Sequence, residues 1–496
     1  MGRSATDTDW SQVSAFVADA MGLHFPRERW ADLQRGLAGA TEEFDFDDVT
    51  ACADWLLSAQ LTKEQLQVLA SHLTVGETYF FREPKTFEIM ANALSALVHS
   101  RRGREQRLRL WSAGCCSGEE AYSLAIMLHQ IVPDLRNWQV TVLATDINPR
   151  FLQKAVAGSY GEWSFRNAPA GFRERYFNRS EAGRYEVMPY LKAMVTFAHL
   201  NLAVDCYPSL ATDTNAMDLI FCRNVLMYFT PTQIGKVLAN LHHSLINGGW
   251  LAVGPSETSQ ALFSRFTTRN FPGTILYQKS VGIVGKTPSP SGEARGQFLS
   301  ARERPGEPRE AVASPKPPPP TRKSERRERE HIAYGAATGL FAQGFYSEAA
   351  ATLLTLEASP AREPRVLSLL ARALANQGEL VAALRWCDLW LVADKLDSSG
   401  HYLRALILLE QGDRAEARIS LQRAVFLTPG FVLAHFALGN LARGNGKRDE
   451  AARHFSNAQQ LLARHLPGNV LPESDGLTAG RLTETITAMT TTDAVP

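Results

Sequence analysis

The stretch RLWSAGCCSGEEAYSLAIML, Arg109 to Leu128, opens on an apolar run, enters a turn of small residues from Ser112 to Gly118, and leaves as an amphipathic helix. That is the strand-turn-helix entry of a nucleotide-binding sheet. Glycine at Gly114 lets a ligand approach the backbone. The spacing is not the GxGxxG of dinucleotide enzymes, and such a turn taken alone also suits a structural role. A phosphate-bearing ligand would want cations or free helix amides here, yet the turn leads into Glu119 and Glu120. Those acids suit a cationic ligand, such as a sulfonium with an α-ammonium group.

Outward from this stretch, VTVLATDINPRFLQKA ends a second apolar run in Asp146, where a carboxylate can accept both ribose hydroxyls of an adenosine ligand. Asp146 could instead cap the helix that follows Pro149, the lesser of the two readings. Further short runs, VTFAHLNL, MDLIFCRN and GWLAVGPS, alternate with helical stretches, so the expected fold is α/β, a doubly wound sheet. Before it, residues 10 to 72 read as a small helical unit, with Val13, Phe16, Val17, Ala20, Leu56, Leu66 and Leu69 spaced for buried faces.

After it, residues 281 to 330 hold nine prolines and few large apolar groups, and such a segment is expected to be an extended, disordered spacer. Beyond the spacer lies a counted repeat. Gly344, Gly378, Gly412 and Gly446 are 34 residues apart, as are Ala349, Ala383, Ala417 and Ala451, and Ala337, Ala371, Ala405 and Gly439. This period resembles the tetratricopeptide repeat, an all-α solenoid that offers a concave surface to peptides or helices. The expected layout is therefore 1–73 helical, 74–282 α/β, 283–330 linker, 331–465 about four repeats and 466–496 a flexible tail.

The whole chain has 496 residues with 52 basic and 51 acidic, a net +1 that gives no field to gather nucleic acid. No apolar stretch is long enough to cross a membrane and the start lacks a signal peptide, so a cytoplasmic monomer is expected. The six cysteines follow no C-x-x-C or disulfide spacing and read as reduced thiols. The histidines, His242 and His243 among them, read as surface or capping residues, and no metal is expected.

Five motifs in order, ETYFFRE (Glu77 to Glu83), SAGCCSGEEAYSLA, ATDIN, HLNL (His199 to Leu202) and FCRNVLMYF (Phe221 to Phe229), resemble the CheR family of chemotaxis receptor methyltransferases. The resemblance implies a helical N-terminal domain, an α/β domain binding S-adenosyl-L-methionine, and methyl transfer to glutamate side chains of methyl-accepting chemoreceptors. With the repeats it is similar to the methyltransferases of biofilm systems, and implies recruitment to membrane receptor arrays and an unidentified protein at the repeats. It places Thr78 and Arg82 at cofactor-contacting and active-site positions, Glu119 and Glu120 at the methionine end, Asp146 at the ribose and Asn201 and Leu202 about the adenine. Cys222, Arg223 and Asn224 fall near the cofactor, with Gly114 in its turn, and Tyr228 faces the methyl group. Where the family often carries Asn two residues before the threonine, this chain has Gly76. The resemblance also places a small β insert over Arg175 to Phe197, with a short turn from Asn178 to Gly183.

A glutamate carboxylate, with a reference pKa of about 4.3, is already a nucleophile at neutral pH, so this chemistry needs no base. It needs alignment of nucleophile, carbon and sulfur, and a dry pocket because charge is lost in the transition state. Phe80, Phe81 and Phe229 could provide the dryness or be plain core, and Arg82 could fork onto the acceptor carboxylate or sit in a structural ion pair. Two other readings stay open: a scaffold that binds cofactor without turnover, which Gly76 favours, and a small-molecule methyltransferase.

Overall fold

The computed structural model describes residues 9–101, 106–169, 171–205, 207–280, 322–355, 363–474 and 476–492. Helices Trp10–Met21, Trp30–Ala40, Val49–Ser58 and Lys63–Leu73 close the N-terminal unit over a core that includes Val13, Val17, Leu37, Leu56 and Leu69. These positions recur at helical spacing, which is why each helix has one face to bury.

The strands are β1 (Arg107–Ala113), β2 (Gln139–Asp146), β3 (Ser159–Tyr160), β4 (Phe177–Arg179), β5 (Tyr185–Val187), β6 (Val195–His199), β7 (Met217–Cys222), β8 (Leu245–Val253), β9 (Thr267–Phe271) and β10 (Thr274–Gln278). Seven form one sheet in the order β6-β2-β1-β7-β8-β10-β9. From β6 to β8 neighbours run parallel, and β10 turns back antiparallel between β8 and β9. Leu108 and Leu110 of β1 pack beneath helices Pro84–Arg101 and Glu119–Ile131, while Trp111 and Ala113 face helix Pro231–Ser244 on the other side. Strand order reverses at β1, so the crevice at the carboxyl ends of β2, β1 and β7 is where such a sheet binds its ligand.

Strands β3, β5 and β4 make a separate antiparallel sheet. Its underside is an aromatic nest in which Phe80 stacks on Phe165 at 5.0 Å and meets Tyr160 and Phe177 edge-on. Phe80 is thus core, holding the insert to the segment that carries Arg82.

Four helix pairs follow, from Arg322–Ala342 to Arg448–Leu462. Helix Arg322–Ala342 begins inside the expected linker, whose remainder to residue 321 lies outside the described residues. Each of the four periodic glycines has a φ between +73° and +84°, a turn conformation that residues with a Cβ rarely adopt. The alanine columns are buried where helices cross, and Gly439 replaces alanine because the Phe455 ring fills the space of a Cβ.

Three expectations need correction. The described residues of 466–492 are not a loose tail: helix Ala479–Thr492 buries Leu482 and Ile486, with Leu471, against the last repeat. Tertiary packing overrides the weak helix propensity of its threonines. Second, the first helices of the second, third and fourth repeats do not offer an open surface. Glu410, at the end of helix Ser398–Glu410, pairs with Arg107 at 2.7 Å and accepts from Asn215, at the amino edge of the sheet. Arg372 forms an ion pair with Glu473 of the C-terminal segment. Third, His242 and His243 are not surface residues. They are partly buried against Phe266 and Phe345, where the α/β domain meets the first repeat, and desolvation holds their pKa values down to about 3 and about 4.

Candidate functional site

At the crevice lies a cavity of about 290 Å³. Thr78, Arg82, Gly114, Glu120, Asp146, Asn201, Leu202, Arg223, Asn224 and Tyr228 line it, brought together from five separate segments. Gly76, Glu119 and Cys222 do not. Glu119 turns from the crevice into the protein, accepting from Ser117 at 2.7 Å and from Ser164 at 2.9 Å, and so ties the turn to the insert. Cys222 is buried within the sheet's second core. A side chain at Gly76 would meet the ring of Phe151, which itself lines the cavity. The aromatic ring therefore takes the space of the missing asparagine.

The turn after β1 is shaped by Asp146. Its Oδ2 accepts from the Cys116 amide and its Oδ1 from the Asn148 amide, each at 2.8 Å. The cap of helix Pro149–Ala157 is Asn148, accepting from Arg150 and Phe151, so Asp146 is not needed there. Burial pushes the Asp146 carboxyl up to about 6, partly offset by the amides of Asn148, Cys116 and Ile147. If Asp146 holds a ribose it does so through the ionised form, and affinity should then weaken as pH falls through that value. Titration with S-adenosylhomocysteine at pH 7 and pH 5 should show about a tenfold loss at the lower pH, one pKa unit below the midpoint. A flat profile would show that the ionised carboxylate is not the ligand.

Glu120 accepts from the Ser112 hydroxyl at 2.7 Å and faces the Arg223 guanidinium at 3.1 Å. Burial raises its pKa and Arg223 opposes the rise. Arg223 also pairs with Glu83 at 2.9 Å and donates to the carbonyl of Arg82 at 2.7 Å. One guanidinium therefore locks the ETYFFRE turn to the acidic end of the cavity. Phe81, Glu83, Cys116 and Asn224 all have positive φ here, backbone strain gathered around one crevice.

Arg82 donates to the Glu77 carbonyl at 2.8 Å and among the described residues forms no ion pair, which removes the structural reading of it. The Tyr228 backbone carbonyl accepts from the His24 amide, and burial raises the phenol pKa. Phe229 lines the cavity, whereas Phe81 packs on Phe87 and Phe172 beside it.

Sequence reading missed several contributors. Met21 and Leu23 of the N-terminal unit and Ile147 and Phe151 after β2 supply apolar walls, and no chemical motif marks them. Glu257, buried, accepts from the amides of Gly254, Asn224 and Val225 at 2.7–2.8 Å and fixes the loop after β7. An acid 33 residues from the loop it holds gives no local signal.

An anionic pocket at Glu120 and Asp146, split by a small-residue turn, fits a ligand with an ammonium at one end and a ribose at the other. Residues 76–273 match the family model described as CheR methyltransferase, SAM binding domain, and residues 334–400 and 402–464 match that of a tetratricopeptide repeat. The chain is 30% identical over 275 residues to chemotaxis protein methyltransferase 2 of Vibrio cholerae, covering 55% of this chain and 93% of that one. It is 30% identical over 386 residues to the probable biofilm formation methyltransferase WspC of Pseudomonas aeruginosa, covering 77% and 83% respectively. With a matching α/β domain, a cavity built from its motifs and a repeat extension, the chain belongs to the CheR family of S-adenosylmethionine-dependent methyltransferases.

Proposed function

We propose that the protein methylates glutamate side chains of chemoreceptors, forming the 5-O-methyl ester. The observation that carries this is the character of the cavity wall. Among the described residues its lining includes Arg82, which has no ion-pair partner, but no histidine or lysine, and the Cys116 thiol is pushed up to about 12 by burial. The carboxylates there are already engaged, Asp146 by the amides of Cys116 and Asn148, Glu120 by Ser112 and Arg223, and Glu77 by Arg166, while Arg82 is a cation that awaits an anion. A carboxylate is the acceptor that needs no deprotonation.

Bound S-adenosylmethionine would supply a sulfonium methyl, which passes to a carboxylate oxygen as S-adenosylhomocysteine is released. Asp146 would hold the ribose, Glu120 the α-ammonium, and Asn201 and Leu202 the adenine. Arg82 would fork onto the acceptor carboxylate, with the Tyr228 phenol, kept protonated by its raised pKa, donating a second hydrogen bond. Phe229 and Met21 would exclude water, which favours a reaction that consumes opposite charges. Exposed Trp163, under the Arg166 guanidinium, stands beside this mouth on the insert and would meet the receptor.

Because the first helices of the second to fourth repeats are covered by the chain itself, a partner would meet the second helices, where Val381, Val392 and Phe426 are each more than two-thirds exposed. The names of the relatives, one a chemotaxis and one a biofilm methyltransferase, support a chemosensory setting at receptor arrays. No described helix is long and apolar enough to cross a membrane.

The test is incubation with methyl-labelled S-adenosylmethionine and membranes holding candidate receptors. Base-labile label on the receptor is expected. Alkali-stable label would replace this reading with another acceptor, and absence of label with intact cofactor binding would indicate a scaffold.

A further inference from the structure

We infer that Arg481, on the C-terminal helix of the repeat domain, is a positioning residue for the cofactor site. Its Nη2 donates to the carbonyl of His199 at 2.6 Å and to the Asp205 carboxylate at 2.6 Å, and its Nη1 meets His199 Nδ1 at 2.6 Å. One guanidinium thereby grips His199, at the start of the HLNL loop, and Asp205, three residues past Leu202. Asp205 passes the grip inward, since the same Oδ2 accepts from the Asn201 amide at 2.6 Å. Asn201 in turn donates to the Met21 carbonyl at 3.1 Å and accepts from the Ala203 amide. Leu200, Asn201 and Leu202 are the loop's contribution to the cofactor cavity.

This loop lacks solid backing. Leu200 and Asn201 also border a second cavity, of about 530 Å³, walled by the N-terminal unit, β6 and the C-terminal segment. The loop is therefore a partition between two spaces, and packing alone does not fix it. Charge-assisted bonds from Arg481, whose side chain is 16% exposed, are what hold the partition in place. The helix that carries Arg481 is itself pinned by Leu482 and Ile486 in the core of the last repeat. Cofactor binding and repeat-domain docking are in this way coupled through one residue, and a partner that moved the helix would change affinity for the methyl donor.

The inference uses only the cofactor site and not the identity of the acceptor, so cofactor binding reads it even if the glutamate proposal fails. In the full chain, Arg481→Ala should raise the dissociation constant for S-adenosylhomocysteine about tenfold, which is about 1.4 kcal/mol. In methylation assays the effect should fall on KM for the cofactor rather than on kcat. Arg481→Lys, which keeps one charged donor, should recover part of the loss. If Arg481→Ala does not fold, Asp205→Asn breaks the same relay from the other side and should weaken binding likewise. Unchanged affinity in the folded variant overturns the inference. A lysine variant no better than the alanine one also overturns it, since the arginine would then serve only to hold the tail.

Discussion

Arg223→Ala is expected to destabilise the protein by about 3–5 kcal/mol, the cost of breaking a buried ion pair from one side. The Arg223 side chain is 1% exposed and faces two carboxylates, Glu83 and Glu120, as well as the carbonyl of Arg82. Its removal leaves two partly buried like charges confronting each other beneath the ETYFFRE turn. Denaturant unfolding measures the deficit, and heating should show a midpoint lower by about 10 °C. The deficit has a predictable pH dependence. The Glu120 pKa is already raised by burial, and losing the opposing guanidinium raises it further, so the carboxyl of the variant protonates more readily on acidification. Below that folded-state pKa the uncompensated charge disappears, so the gap between variant and wild type should narrow as pH falls. Arg223→Lys should be intermediate, because one ammonium cannot span three acceptors. A loss under about 1 kcal/mol would mean that this guanidinium is better solvated than its surroundings imply.

Arg82→Ala should leave the fold intact and lower kcat/KM for the acceptor by roughly 10²- to 10³-fold. Two charge-assisted hydrogen bonds to a carboxylate, each about 1.5–3 kcal/mol, account for a change of that size. The side chain is held by a single bond to the Glu77 carbonyl and lies 5.8 Å over the Tyr79 ring, so little of the fold depends on it. Arg82→Lys should restore part of the rate, keeping charge without the fork. Steady-state kinetics with receptor membranes decide the point, and wild-type rates in the alanine variant would remove Arg82 from the reaction.

Much of the fold is legible because the central strands are buried on both faces and read as short, largely apolar runs between helical stretches. RLRLWSA and MDLIFCRN give β1 and β7 almost to the residue. The edge pair β9 and β10 is not legible. TTRNF is polar and half-exposed, and what makes it a strand is pairing with β10 rather than any pattern of its own. The periodic glycines announced the repeats because each turn needs a positive φ, and the alanines because crossing helices leave little room at those positions. Nothing announced the helix at 479–492, whose threonines are poor helix formers held by two buried aliphatics.

In the site, groups with distinctive chemistry were found and groups with only shape or leverage were not. Asp146, Glu120 and Arg82 stand in the cavity; Phe151, Met21 and Glu257 were invisible because their roles exist only after folding. Glu119 was misplaced for a related reason. Adjacent acids at the start of a helix point in different directions, and the sequence does not say which one faces the ligand.

The pairing of Glu410 with Arg107 and Arg109 at the foot of β1 bears on how such enzymes are recombined. A chimaera that grafts a foreign repeat array onto this α/β domain would import a new residue at that position while keeping two arginines that are each less than a tenth exposed. Unless the donor array also offers an acid there, the graft takes from both arginines the carboxylate they share, leaving Arg109 the more distant Asp213. Compatibility between modules thus depends on matched charge at the junction, and shuffling that preserves the helical repeat but not this acid should weaken the docking of the two halves.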